Sequence, residues 1–324
     1  MRMLQDNAVA ACLSCVALLS AGLDLAWPQG PSLKDTAAQE AGLKKPSFDS
    51  GGVPIHYIVT GKEDGESVLL IHGFASSIEA LWPPVIAALQ KDYKVVAMDI
   101  RGCGGSGKPH DPSKYGIEMM HDVVRLLDHL KIDKAHVVGY SVSAGTGLLL
   151  AVHHPQRLRT LSCCAAGLVS FGSNTPPPGI ANPDMMPRIA LLNDLADALD
   201  KNSIGPLTIS LTPKNQPQPT PEAIKAHDQK LLSVNDAKAL AAMIRGAGRP
   251  DTRITEKQVQ DIRVPIEAII GADDPLKFGV DRLKQLLPAT KVIVIDNAHH
   301  LNVYTRPEFV SALKQFLNEN RNQR

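Results

Sequence analysis

Short, nearly unbroken apolar runs recur along this chain, at residues 67–71, 93–99, 135–139, 158–165, 264–270 and 291–296. A strand with one face in water alternates apolar and polar residues, so runs like these call for a sheet covered on both faces. Helical patterns lie between them. Residues 114–130 put Met119, Val123, Leu126, Leu127 and Leu130 on one helical face. Residues 307–318 open with Pro307, a residue suited to the first turn of a helix. Strand and helix in alternation predict an α/β fold, a doubly wound and mostly parallel sheet with right-handed crossovers. Ser50-Gly51-Gly52 reads as a hairpin turn ahead of a strand at 53–60.

One junction carries chemistry. The run 135–138 leads into Gly139-Tyr140-Ser141-Val142-Ser143, and Ala144-Gly145-Thr146-Gly147 opens the helix that follows. A strand that turns sharply into a helix with serine at the bend exposes a hydroxyl for nucleophilic attack. Small residues flank such a serine because the bend crowds strand against helix. Gly139 fits this pattern, and Ser143 stands where a second glycine is expected.

With four further segments the chain resembles the α/β-hydrolase fold family from about residue 48 onward. They are Ile71-His72-Gly73-Phe74, the glycine-rich run from Asp99 to Ser106, Gly271-Ala272-Asp273-Asp274, and Ala298-His299-His300. The resemblance implies the chain order nucleophile, acid, histidine, with Ser141, Asp274 and His300 in those roles. Family members similar to this one place the histidine seven residues before the proline of the last helix, which points to His300 rather than His299. The family spacing of glycine, two residues, then aspartate points to Asp274, with Asp273 as the alternative. The backbone N–H groups of Phe74 and Val142 are the oxyanion-hole donors carried over. His72 is expected to shape its loop rather than act as a base. The run after Asp99 lacks the lysine and serine order of a phosphate-binding loop, so a structural turn is expected there.

Residues 167–256 break the strand–helix rhythm with Pro176-Pro177-Pro178, Pro183, Pro187, Pro213, Pro217, Pro219 and Pro221. Helical stretches at 189–199 and 222–244 lie among these prolines. A long insertion without a role is uncommon, and the resemblance implies a helical cap over the active site. The core is then expected at 47–166 and 257–324.

The N-terminus reads differently. Sixteen uncharged residues from Ala8 to Leu23 follow Arg2, too short for a membrane-spanning helix but suited to a secretory signal. A leader at 1–22 and a linker at 23–46 are expected, with a secreted or periplasmic product and no stable membrane span after cleavage. An N-terminal membrane tether is the alternative. Loss of the leader would leave Cys103, Cys163 and Cys164, an odd set expected to be buried fillers rather than a disulfide framework.

Composition narrows the function. Apolar residues make up 44% of 324, charged residues 21%, and the formal net charge is +1, so nucleic acid is not an expected partner. No cofactor and no metal is expected. The expected reaction is serine hydrolysis of small to medium esters by a carboxylesterase, through an acyl-enzyme. A cofactor-free haloperoxidase, an aminopeptidase, a carbon–carbon bond hydrolase, an acyltransferase, or a receptor-like protein with vestigial hydrolysis are the alternatives on the same residues. Serine at 141 speaks against dehalogenase and epoxide hydrolase chemistry, where a carboxylate forms the alkyl-enzyme ester.

Overall fold

The computed structural model describes residues 46–168 and 186–321, with only the backbone described for 186–192. The expected leader, nearly all of the linker, and Pro176-Pro177-Pro178 with Pro183 lie outside the described residues. In the first half of the chain the strands are β1 (Ser47–Asp49), β2 (Pro54–Gly61), β3 (Ser67–Ile71), β4 (Lys94–Met98), β5 (Ala135–Tyr140) and β6 (Leu158–Cys164). The helices among them are α1 (Ile78–Leu81), α2 (Pro83–Leu89), α3 (Ile117–His129) and α4 (Val142–His153). An insertion follows, with α5 (Met186–Leu199), α6 (Gly205–Leu211), α7 (Pro221–Leu232) and α8 (Ala237–Ala247). The chain then returns through α9 (Glu256–Gln260), β7 (Ile266–Gly271), α10 (Lys277–Leu286), β8 (Lys291–Ile295) and α11 (Pro307–Glu319).

The sheet runs β1-β2-β4-β3-β5-β6-β7-β8. β2 pairs antiparallel with both β1 and β4, and every pair from β4 to β8 is parallel. The sheet is therefore mostly parallel and covered on both faces, as the unbroken apolar runs require. Leu69, Ile71, Val96, Val137 and Leu161 belong to one core layer with α3 and α4. Val68, Leu70, Val95, Val138 and Ile269 belong to the other, under α2 and α11. Cys163 and Cys164 fall one in each layer, as neighbours on a strand must. Both are free and buried, and burial pushes the Cys163 thiol up to about 12.

Winding reverses at β3, which has β4 on one side and β5 on the other. In such a sheet the crevice for a ligand opens beyond the carboxyl ends of the two strands at that reversal. Phe74 follows β3 there, and Ser141 follows β5.

The insertion is helical, with two differences from expectation, the first being α6, which lies outside both expected stretches. The stretch 222–244 is two helices, because the Asp236 side chain accepts the Ala239 N–H and starts α8 anew. The insertion meets loops that follow β3, β4 and β7. Asn235 Nδ2 donates to Ala75 O at 3.3 Å, and Asn215 Nδ2 to Asp273 Oδ1 at 3.1 Å. A Cβ at Gly246 would lie 2.6 Å from Pro112 O, so α8 packs against the β4 loop at glycine contact. These helices thus lie over the carboxyl edge of the sheet, as a cap does. Among the described residues no helix is long and apolar enough to cross a membrane.

Candidate active site

Ser141 sits at the bend with φ 55° and ψ −117°, a conformation that non-glycine residues avoid and that costs about 1–3 kcal/mol. Surrounding contacts hold it there. The Ser141 N–H donates to Cys164 O at 2.8 Å. A Cβ at Gly139 would lie 2.2 Å from Ser143 O, so no larger residue fits beneath the turn. Ser143, in the place expected for glycine, is fully buried, and its hydroxyl donates to His72 O at 2.6 Å. It links α4 to the loop after β3.

Three polar side chains from three loops meet at this bend. Ser141 Oγ lies 2.9 Å from His300 Nε2. His300 Nδ1 lies 3.0 Å from Asp274 Oδ2 and 3.3 Å from Oδ1. With Nδ1–H donating to the carboxylate, Nε2 is left to accept the serine hydroxyl proton. His300 is 3% exposed and Asp274 4%, so the contacts are shielded from bulk water. Asp274 Oδ1 also accepts the Leu276 N–H at 2.8 Å, which fixes the carboxylate plane.

The neighbouring candidates face elsewhere. His299 Nδ1 accepts the Leu301 N–H at 3.3 Å, and burial lowers the pKa of its ring against the opposing charge of Asp274. Asp273 accepts from Asn215 of the insertion. Tyr140, which the sequence reading passed over, donates its hydroxyl to His300 O at 2.5 Å. Its ring stands edge-on to Trp82 and Tyr304, and the three aromatics brace the histidine loop from below. A tyrosine beside the candidate serine was visible in the motif, but nothing in the sequence said which carbonyl it would reach.

The N–H groups of Phe74 and Val142 have no acceptor among the described residues. Val142 opens α4, where a first-turn N–H lacks an intrahelical partner. His72 is fully buried; Nδ1 lies 2.7 Å from Gly73 O, and Nε2 lies 3.2 Å from Ile100 N and 3.3 Å from Asp99 Oδ1. Both ring nitrogens are engaged inside the fold, with two backbone groups and the Asp99 carboxylate, so His72 shapes the loop.

The glycine-rich run closes around the chain's own Asp99 carboxylate rather than around an anion from outside. Asp99 accepts the Ile78 N–H at 2.8 Å and the Gly105 N–H at 2.7 Å. A Cβ at Gly104 (φ 51°) would lie 2.2 Å from Asp99 Oδ2. Burial opposes the charge on Asp99, but hydrogen bonds from His72, Gly105 and Ile78 outweigh it and hold the pKa below the ordinary value. A phosphate would meet that negative charge, so this loop is a structural turn.

Comparison with known proteins places these features in a family. The family model described as the alpha/beta hydrolase fold matches residues 66–307. A Caulobacter sp. (strain K31) protein named "Putative carbamate hydrolase RutD" is 30% identical over 275 residues, covering 78% of this chain and 91% of that protein. 3-Oxoadipate enol-lactonase 2 of Acinetobacter baylyi is 26% identical over 275 residues, covering 83% of this chain and 95% of its own. Among solved structures, the enol-lactonase from Burkholderia xenovorans LB400 superposes with a TM-score of 0.61 at 23% identity, covering 84% of this chain and all of that one, a likeness of fold. The chain belongs to the α/β-hydrolase fold family. It is an α/β-fold hydrolase.

Proposed function

We propose that the protein is a serine hydrolase, most simply a carboxylesterase of small to medium esters, working through an acyl-enzyme. The observation that carries this reading is the series Ser141 Oγ, His300 Nε2, His300 Nδ1 and Asp274, with separations of 2.9 Å and 3.0 Å. A serine hydroxyl is a weak nucleophile at neutral pH and needs a base in hydrogen-bond reach. His300 takes the proton as Oγ bonds to the carbonyl carbon, then delivers it to the departing alcohol oxygen. Asp274 stays ionised, fixes the imidazole tautomer and stabilises the imidazolium. The Phe74 and Val142 N–H groups, without acceptors among the described residues, receive the oxyanion; one such donor is worth about 3 kcal/mol. Water then repeats the sequence on the acyl-enzyme and frees the acid.

The relatives' names support carbonyl substrates, an enol-lactone being a cyclic ester and a carbamate an acyl compound. Fluorophosphonate labelling followed by turnover of nitrophenyl esters tests the reading. Wild-type protein is expected to label and turn over, and Ser141→Ala to do neither while its circular dichroism stays unchanged. Labelling at Ser143 or Ser106 would overturn the assignment of the nucleophile, and an intact protein inert to every ester would leave a binding function in its place. On the same reading the leader at 1–22 exports the enzyme, and N-terminal sequencing of the mature protein from a cell fraction checks that.

A further inference from the structure

The two edges of the sheet differ in how they meet water. β1, at one edge, is three residues long, and Pro54 opens the strand beside it. β8, at the other, is five residues, Lys291-Val292-Ile293-Val294-Ile295, and its register with β7 runs without a bulge. Among the described residues β7 is its only strand partner. An open edge offers a row of N–H and C=O groups to any strand that arrives, and chains blunt it with lysine, proline, a bulge or shortness. The one lysine of β8 is drawn aside, its Nζ donating to Glu319 Oε2 on α11 at 2.8 Å.

The alternation along β8 shows which groups are on offer. Ile295 O accepts the Ala272 N–H at 2.9 Å, so the Ile295 backbone points toward β7. Backbone polar groups alternate sides along a strand, which turns those of Val292 and Val294 outward. Side chains alternate between the two faces. Ile293 and Ile295 pack into the layer under α11, and Val292 against the opposite layer. Val294 shares the Val292 face and is 43% exposed.

The order of residues selects the partner. Val292-Ile293-Val294 reads the same in both directions, so an antiparallel copy turned about Ile293 meets it in kind. In that register Val292 faces Val294 of the second copy, Ile293 faces Ile293, and Lys291 faces Ile295. Asp296 stands across from Thr290, so no like charges are opposed. A slip that sets Lys291 across from Lys291, or Asp296 across from Asp296, is disfavoured by repulsion. The outward N–H and C=O groups of Val292 and Val294 exchange bonds as a closely spaced antiparallel pair.

We propose that β8 is a docking edge for a second copy of this chain, paired antiparallel about a two-fold axis at Ile293, so that one sheet runs through both molecules. Such an isologous contact closes on itself. It covers Val294 and satisfies the backbone groups that β7 leaves free. A strand of this length buries little area by itself, so the dimer is on the order of micromolar strength.

Sedimentation velocity of the full chain from about 1 to about 100 µM, a span around that affinity, tests this. Wild type is expected to pass from monomer to dimer across it. Val294→Pro deletes an N–H that points away from β7, so the ladder to β7 stays whole. It is expected to remain monomeric throughout with wild-type circular dichroism, while Val294→Ala, which keeps the N–H, still dimerises within tenfold of wild type. Should the proline variant fail to fold, Val294→Lys restores a guard charge to the edge and is expected to weaken the dimer at least tenfold. Ile293→Cys sits on the axis, where facing Cα atoms stand about 4.5 Å apart and a disulfide can close. Mild oxidation is expected to link it into a covalent dimer, above the background of wild type oxidised alongside. A wild type that stays monomeric overturns the proposal, and so does a dimer that the Val294 variants leave intact, because its interface lies elsewhere. A dimer that Ile293→Cys does not link refutes the two-fold register.

Discussion

Glu267 on β7 offers a test of how a buried charge shapes stability. It is fully buried under the α11 side of the sheet. Oε1 accepts the Ser162 hydroxyl at 2.8 Å, and Oε2 has no partner among the described residues. Burial pushes its carboxyl up to about 8 from 4.5, against the hydrogen bond from Ser162 and the charge of Lys291. Between those two values the folded chain keeps a proton that the unfolded chain has lost, so this group's stabilising share is complete below about pH 4.5. It drains away as pH rises toward 8, at about 1.36 kcal/mol per unit. By pH 7.5 the cost is on the order of 4 kcal/mol, three units' worth. Glu267→Gln keeps the acceptor for Ser162 and cannot ionise. Urea melts followed by circular dichroism from pH 5.5 to 8.5 compare the two proteins. The glutamine variant is expected to gain over wild type steadily with pH, from about 1.4 kcal/mol at pH 5.5 to about 4 at pH 7.5. A wild-type-to-glutamine difference that stays flat across that range would refute the argument, because it would mean that Glu267 titrates alike in both states.

Three further outcomes are expected at the proposed active site. His300→Ala should cost several powers of ten in ester turnover and His299→Ala under tenfold, measured by kcat/KM; equal losses would reverse the assignment. Asp274→Asn should lower kcat by roughly two to four powers of ten and Asp273→Asn by under tenfold, since only the former removes the charge beside the imidazole. Tyr140→Phe frees the His300 carbonyl from a bond inside a dry aromatic cluster. It should cost about 1–2 kcal/mol of stability by thermal melt and lower kcat more than it raises KM.

The sheet was readable because burial on both faces leaves an unbroken mark: every run from 67–71 onward became a strand within a residue or two of its expected ends. Helix breaks were harder. Apolar spacing continues from 222 to 244, and only the capping preference of Asp236 marks the gap between α7 and α8. Ser141 could be named from the strand–helix bend, and Asp274 and His300 from the spacing that the family resemblance implies; the fold brings these three side chains together. Contacts between distant residues left no such trace. Ser162 with Glu267, Tyr140 with the His300 carbonyl, and Arg101 with Asp122 at 2.5 Å depend on register across the sheet or on helix packing. A lone glutamate inside an apolar run does not reveal whether it will face a hydroxyl or water.

The hydroxyl of Ser143 has a consequence for how such a protein can change. It bolts the serine-bearing turn to the His72 carbonyl, two residues before the Phe74 N–H. The proposed nucleophile and the proposed oxyanion donor thus sit on one braced unit, held from beneath rather than by whatever occupies the pocket. The insertion touches this unit from above, through Asn235 on the Ala75 carbonyl. Helices α5 to α8 can therefore be redrawn by mutation, exchanging one clientele of small molecules for another, while the cutting edge keeps its alignment. A lineage using this layout can try new substrates without reinventing its chemistry each time.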